Sequence, residues 1–198
     1  MASETEVKSF RDMLGAPRLT LTASPQDSTL ICPRPIGDHR RRADPQSDRF
    51  ALEKYRAGGD GKNIVHVVHK TLDGVPVFTA GTALAVEFDE LKPQPGEKVI
   101  QKELISSFVA IDLHEYLIRL GERGRKTVLT GYMAHVCVST TARAGADLGK
   151  NVVLAVDAIG DRDIPGFTGP EVTDARLKKL GDAFGTVAQS VEVQSRYR

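Results

Sequence analysis

The stretch Thr127 to Asp157, TVLTGYMAHVCVSTTARAGADLGKNVVLAVD, decides the fold. It opens on TVLTG, an apolar run short enough to be a buried strand. After a tight turn the chain enters Val136 to Leu148, rich in Ala, Thr, Ser and Val and closed by Gly149. That composition predicts a helix whose small side chains let it pack close against a sheet. Asn151 to Asp157 (NVVLAVD) is then the clearest strand in the chain. A strand, a crossover of a dozen residues or more and another strand make the unit of a parallel sheet.

The same alternation extends both ways. Upstream, Asn63 to His69 (NIVHVVH) reads as a buried strand and Val99 to Lys102 as a short one. Between them Thr71 to Pro95, broken by Gly74, Pro76, Gly81, Pro93 and Pro95, reads as a long irregular excursion. Ser106 to Leu120 places Phe108, Ile111, Leu113, Leu117 and Leu120 at spacings near three and four, a helical stripe stopped by Gly121. Downstream, a loop with Gly160, Pro165 and Gly166 leads to a helix over about Pro170 to Phe184 and a last strand over Thr186 to Val193. The expected architecture is α/β, a doubly wound, mostly parallel sheet with helices on both faces, in a single domain over 1–198.

Composition narrows the class. With 198 residues, 40% hydrophobic, 27% charged and a net charge of +1, the chain is neither disordered, fibrous nor coiled-coil. Cys32 and Cys137 are too far apart to suggest a disulfide framework or a zinc cluster, and such usage suits a reducing compartment. The amino terminus, MASETEVKSF, lacks an apolar leader, and no run approaches the roughly 18 apolar residues of a membrane helix. A cytoplasmic location with no membrane partner is expected. Near-zero charge argues against nucleic acid as a partner, and Arg40-Arg41-Arg42, without interleaved aromatics, reads as a solvated loop. His66 and His69, three apart on a strand, point to opposite faces, so no metal site is expected from them, nor any cofactor.

The chemistry gathers at Gly131 to Val138, where a strand turns into a helix at Cys137. A thiol at a helix amino terminus faces unpaired N–H groups and the positive end of the macrodipole, which favour its thiolate. The same N–H groups suit a developing oxyanion. Against this stands the plain reading of Cys137 as a small buried packing residue.

The run GYMAHVCVSTTARAGADLGKNVVLAVDAIGD resembles the nucleophile region of the isochorismatase-like cysteine hydrolases, and VIQKELISSFVAIDL resembles their lysine segment. With NIVHVVH the resemblance spans about Leu52 to Val193. It implies that Cys137 is a nucleophile forming an acyl-enzyme and that Lys102 is the lysine of a Cys, Lys and Asp triad. It also implies a non-proline cis peptide between Tyr132 and Met133, with the Met133 and Cys137 N–H groups as the oxyanion hole. The implied reaction is hydrolysis of a small amide, ureide or related substrate, or of an isochorismatase-type ether bond. His69, Phe78, Tyr132 and Phe167 are the candidate pocket residues, and a homo-oligomer acting on a small molecule is the implied working form. The resemblance does not extend to the nicotinamidase metal segment, an Asp-x-His followed by another His, so metal-dependent nicotinamidase chemistry is not expected. His135 and Cys137, two apart at a helix start, do not suggest a dyad. Asp157 reads as a cap for a neighbouring loop.

One part of the pattern fails. Where the family has an Asp at the end of its first strand, this chain runs Thr29-Leu30-Ile31-Cys32-Pro33-Arg34-Pro35, and the acid's place falls near Arg34. A cation there cannot accept a proton and would repel Lys102. Residues 32–49 hold five Arg, three Asp and three Pro with Ile36 as the one large aliphatic, an atypical segment. Proline removes ladder donors, so a central strand is not expected to run through it, and the first helix is expected to be mostly lost. Asp38, Asp44 and Asp48 are substitutes that the spacing does not rank. Two readings remain: a cysteine hydrolase with an unusual or missing acid, and a catalytically impaired relative, or misassembled gene, acting as a binding or assembly protein.

Overall fold

A computed structural model describes residues 8–14, 23–34, 45–70 and 91–193. Six strands form one sheet in the order β3-β2-β1-β4-β5-β6, with every neighbouring pair parallel. They are β1 (Thr29–Arg34), β2 (Ile64–His69), β3 (Lys98–Lys102), β4 (Lys126–Tyr132), β5 (Asn151–Gly160) and β6 (Thr186–Ala188). The helices are α1 (Phe10–Met13), α2 (Pro45–Gly58), α3 (Leu113–Arg119), α4 (Ser139–Asp147) and α5 (Gly169–Ala183).

Alternation along the strands divides the core into two layers. Ile31, Val65, Val67, Leu129, Val152 and Leu154 face one layer with residues of α3, α4 and α5. Leu30, Cys32, Ile64, Val128, Val153 and Ala155 face the other with Ala51, Leu52 and Tyr55 of α2. Helices on both faces make this the doubly wound sheet expected. Among the described residues no helix is long and apolar enough to cross a membrane.

Four local expectations are corrected. The first strand does continue through proline: β1 pairs β2 as far as Pro33↔Val67 and Arg34↔Val68. Leu30 donates its N–H to Asn63 on the β2 side. Alternation along a parallel strand therefore turns the N–H-less nitrogen of Pro33 toward β4, where pairing has already ended at Ile31↔Leu129. The first helix is not lost either. Pro45 opens α2, its ring suited to a helix start where no N–H is needed, and Ala51, Leu52 and Tyr55 bury one stripe. Residues 35–44, with Asp38, Asp44 and the three consecutive arginines, lie outside the described residues.

The stripe from Phe108 to Leu120 becomes helical only at Leu113. Residues 103–112 instead form turns, with Ala110 at φ 56, because their hydroxyls and carbonyls are engaged elsewhere. The last strand stops at Ala188, since Asp157 takes the Ser190 N–H at 2.7 Å and its hydroxyl at 2.5 Å, bending the chain into a 3₁₀ turn. Asp157 is thus the cap it was read to be.

A buried charged knot holds the start of β3. Glu97 accepts from Arg56 of α2 at 2.6 Å and 3.0 Å and from the Gln94 N–H at 2.8 Å. Its Oε2 lies 2.7 Å from Nε2 of the fully buried His66. Burial alone would raise the Glu97 carboxyl, but these bonds more than reverse that and hold it at about 2, against an ordinary 4.5. A depressed folded value stabilises above the unfolded one, and the gain disappears as pH falls from about 4.5 toward 2, by about 3 kcal/mol. In denaturant titrations the native chain should therefore lose about that increment more than Glu97→Gln as pH falls through this window, with Glu97→Gln the less stable of the two at pH 7.

Candidate active site

The site is built where β4 ends. Gly131 at φ 99 and a register shift against β5 between Leu129 and Gly131 swing the strand end away from the ladder. The following Tyr132–Met133 peptide is cis, at the bond the family resemblance singles out. Residues Ala134–Val138 then form a π-turn that runs directly into α4. The Met133 carbonyl closes this turn, accepting from the Val136 and Val138 N–H groups, each at 3.1 Å. Cys137 sits inside it with 7% exposure.

Lys102 ends β3 at the same edge of the sheet and is 2% exposed. Its ammonium donates to the Ile105 carbonyl, and the Cys137 thiol is near enough to act on its charge. Burial pushes Lys102 below its ordinary 10.5, while the adjacent Cys137 opposes that shift. His69 lies beside Lys102 in register, half-buried, and is itself lowered by burial and then by the lysine charge. The fold thus brings Cys137, Lys102 and His69 to the carboxyl ends of the strands, where open parallel sheets bind ligands.

The other sequence candidates divide. Tyr132 and Met133 lie in the turn itself, partly buried. Phe167 is 57% exposed on the loop between β5 and α5, in a tight turn closed by reciprocal Ile164–Phe167 backbone bonds at 3.0 Å. Phe78 lies outside the described residues. Arg34 ends β1, paired with Val68. Among the described residues no group of three or more His, Cys, Asp or Glu is placed to hold a metal ion.

Asp161, just past the end of β5, is a residue the sequence reading passed over. Its fully buried carboxylate accepts the His135 N–H at 2.7 Å, lies 2.6 Å from His135 Nδ1, and takes the Arg162 N–H at 2.9 Å. His135 is therefore committed to Asp161 and braces the turn two residues before the thiol. The only sequence signal was the final Asp of NVVLAVDAIGD. Its tertiary partner could not be read from a stretch so far from His135 in sequence. Gly169 permits this arrangement, because a Cβ there would stand 2.5 Å from the Asp161 carbonyl oxygen. A groove of about 950 Å³ runs beyond, along α5 and the β5–β6 edge, and neither Cys137 nor Lys102 lines it.

With this geometry in hand, likeness to known proteins can be placed. Residues 44–192 match the model of the isochorismatase domain. A protein of Verticillium dahliae named secreted isochorismatase effector is 45% identical over 195 residues, 94% of this chain and 100% of its own. The ureidoacrylate amidohydrolase of Stutzerimonas stutzeri is 34% identical over 141 residues, 67% of this chain and 53% of its own. Among solved structures, an isochorismatase from Pseudomonas putida superposes with a TM-score of 0.81 at 25% identity, over 93% of this chain and 98% of its own. The parallel sheet, the strand-end turn around Cys137 and these matches together mean that the chain belongs to the isochorismatase family.

Proposed function

We propose that the chain is a cysteine hydrolase that cleaves a small amide, ureide or related substrate through an acyl-enzyme on Cys137. One observation carries this reading: a buried lysine whose charge is coupled to a buried thiol at the carboxyl end of the sheet. Burial favours the neutral amine of Lys102, which fits it to take the thiol proton. The Cys137 sulfur then adds to the substrate carbonyl, and the displaced electron pair goes to oxygen, held by the Met133 and Cys137 N–H groups. On collapse the C–N bond breaks and the Lys102 proton leaves on nitrogen. Water next adds to the thioester, the S–C bond breaks, and the thiol regains its proton as the acid departs. The name of the Stutzerimonas relative supports a C–N bond as the target, and that of the Verticillium relative supports keeping an ether substrate in the comparison.

The second reading, a catalytically impaired binding or assembly protein, is favoured by Arg34, which ends β1 where the family resemblance calls for an acid. Steady-state assays on a panel of amides, ureides and an isochorismate-type enol ether separate the two. Turnover should fall at least about a hundredfold in Cys137→Ala and in Lys102→Met. Activity that survives Cys137→Ala removes the covalent mechanism. A native chain inert on the whole panel but regaining turnover in Arg34→Asp places it in the second class.

We infer further that the chain acts in the cytoplasm as a homo-oligomer, with a small molecule as partner and neither nucleic acid nor membrane. Two buried cysteines, Cys32 and Cys137, neither of them in a disulfide, support the compartment. Leu104, Ile105 and Val109, between 46% and 49% exposed beside the site, support a covered face. Because the Verticillium relative is named as secreted, fractionation is the test, and recovery of the chain from culture medium alone overturns the compartment. A monomeric mass by sedimentation overturns the assembly.

A further inference from the structure

The turns at residues 103–112 are tied to α4 by hydroxyls that the hydrolytic scheme does not use. Thr141, four residues beyond Cys137, is fully buried and accepts the Ser107 N–H at its Oγ1, at 3.1 Å. The same hydroxyl donates to Ser107 Oγ at 3.0 Å, and Ser107 is also fully buried. The Ser106 hydroxyl accepts the Phe108 N–H at 3.2 Å and so shapes the same turn. One helical turn further along α4, Gly145 leaves room for Phe108, whose ring would stand 3.3 Å from a Cβ there. At its near end this segment presents the Ile105 carbonyl to the Lys102 ammonium.

We propose that Thr141 and Ser107 form a positioning clasp that holds the Ile105 carbonyl, and through it the Lys102 ammonium, against Cys137. The proposal rests on the cysteine hydrolase reading and deepens it, since neither residue touches substrate or the reacting atoms. The physical need is plain. A lysine stem carries four rotatable bonds, and a buried ammonium finds few acceptors, so its position depends on whichever carbonyl is delivered to it. Ile105 delivers one, and, two residues on, the Ser107 N–H is tied to the Thr141 hydroxyl of α4. Because α4 directly continues the π-turn that carries the thiol, any shift of the helix moves both partners together. A loop without this tie could hold Lys102 anywhere along its own flexibility.

Peptide-resolved alkylation of the full chain with iodoacetamide tests the clasp without knowledge of the substrate. The reaction forms the Cys137 S–C bond, expels iodide and delivers the thiol proton to buffer, so its pH profile reports how well the lysine supports the thiolate. In Thr141→Val the profile should move up by about one pH unit, a roughly tenfold loss of rate at pH 7, and Thr141→Ser should restore it. Ser107→Ala, which keeps the backbone donor, should lose less, and it carries the test if Thr141→Val does not fold by circular dichroism. An unchanged profile in Thr141→Val, or in Ser107→Ala where that variant carries the test, overturns the clasp alone. A native Cys137 no faster than a free thiol at pH 7 overturns the nucleophile reading and the clasp with it.

Discussion

The site depends on one costly arrangement, a lysine ammonium buried at the end of β3 beside a thiol at the end of β4. An unpaired ammonium removed from water is unfavourable by several kcal/mol, so the group must be met by acceptors or give up its proton. Both responses are visible. The Ile105 carbonyl meets Lys102, and its affinity for a proton is lowered by burial while the thiol pulls it back. A buried lysine with lowered proton affinity and the thiol beside it thus act on each other's charge.

The rest of the fold supplies rigidity to that pair from two sides. On the lysine side, Glu97 locks the start of β3 to α2 and β2 through Arg56 and His66. On the thiol side, buried Asp161 takes both the backbone and the ring of His135 and so braces the π-turn. The two arrangements use the same device, a carboxylate satisfied by several donors at once, which raises the cost of any displacement. Between them β2 and β1 separate the strand that ends on Lys102 from the strand that leads into Cys137, and all four strands run the same way.

β1 is the strand at which the sequence reading and the structure meet most sharply. The strand survives because the nitrogen of Pro33 faces a neighbour that has already stopped pairing. The strand ends on Arg34, the position at which the resemblance leads one to expect an acid. Strand continuity depends on which ladder each backbone group faces, and the side chain at the strand end enters that requirement not at all. A basic residue at the strand end is therefore compatible with an intact sheet.

Sequence alone determined the alternation of strands and helices from Lys62 onward, the class of sheet, the turn at Cys137 and the strand end at Lys102. Each follows from local periodicity, glycine placement and backbone limits that act within a few residues. It misjudged Phe108 to Asp112, where helical spacing lost to hydroxyl and carbonyl bonds made across the site, and the stretch after Ala188, where Asp157 bends the chain. It was equally blind to the survival of β1 through Pro33 and to the pairing of His135 with Asp161. Those outcomes belong to the tertiary structure alone. In each of them a backbone or side-chain polar group found its partner on a different element, and distance along the chain carries no record of which element that will be.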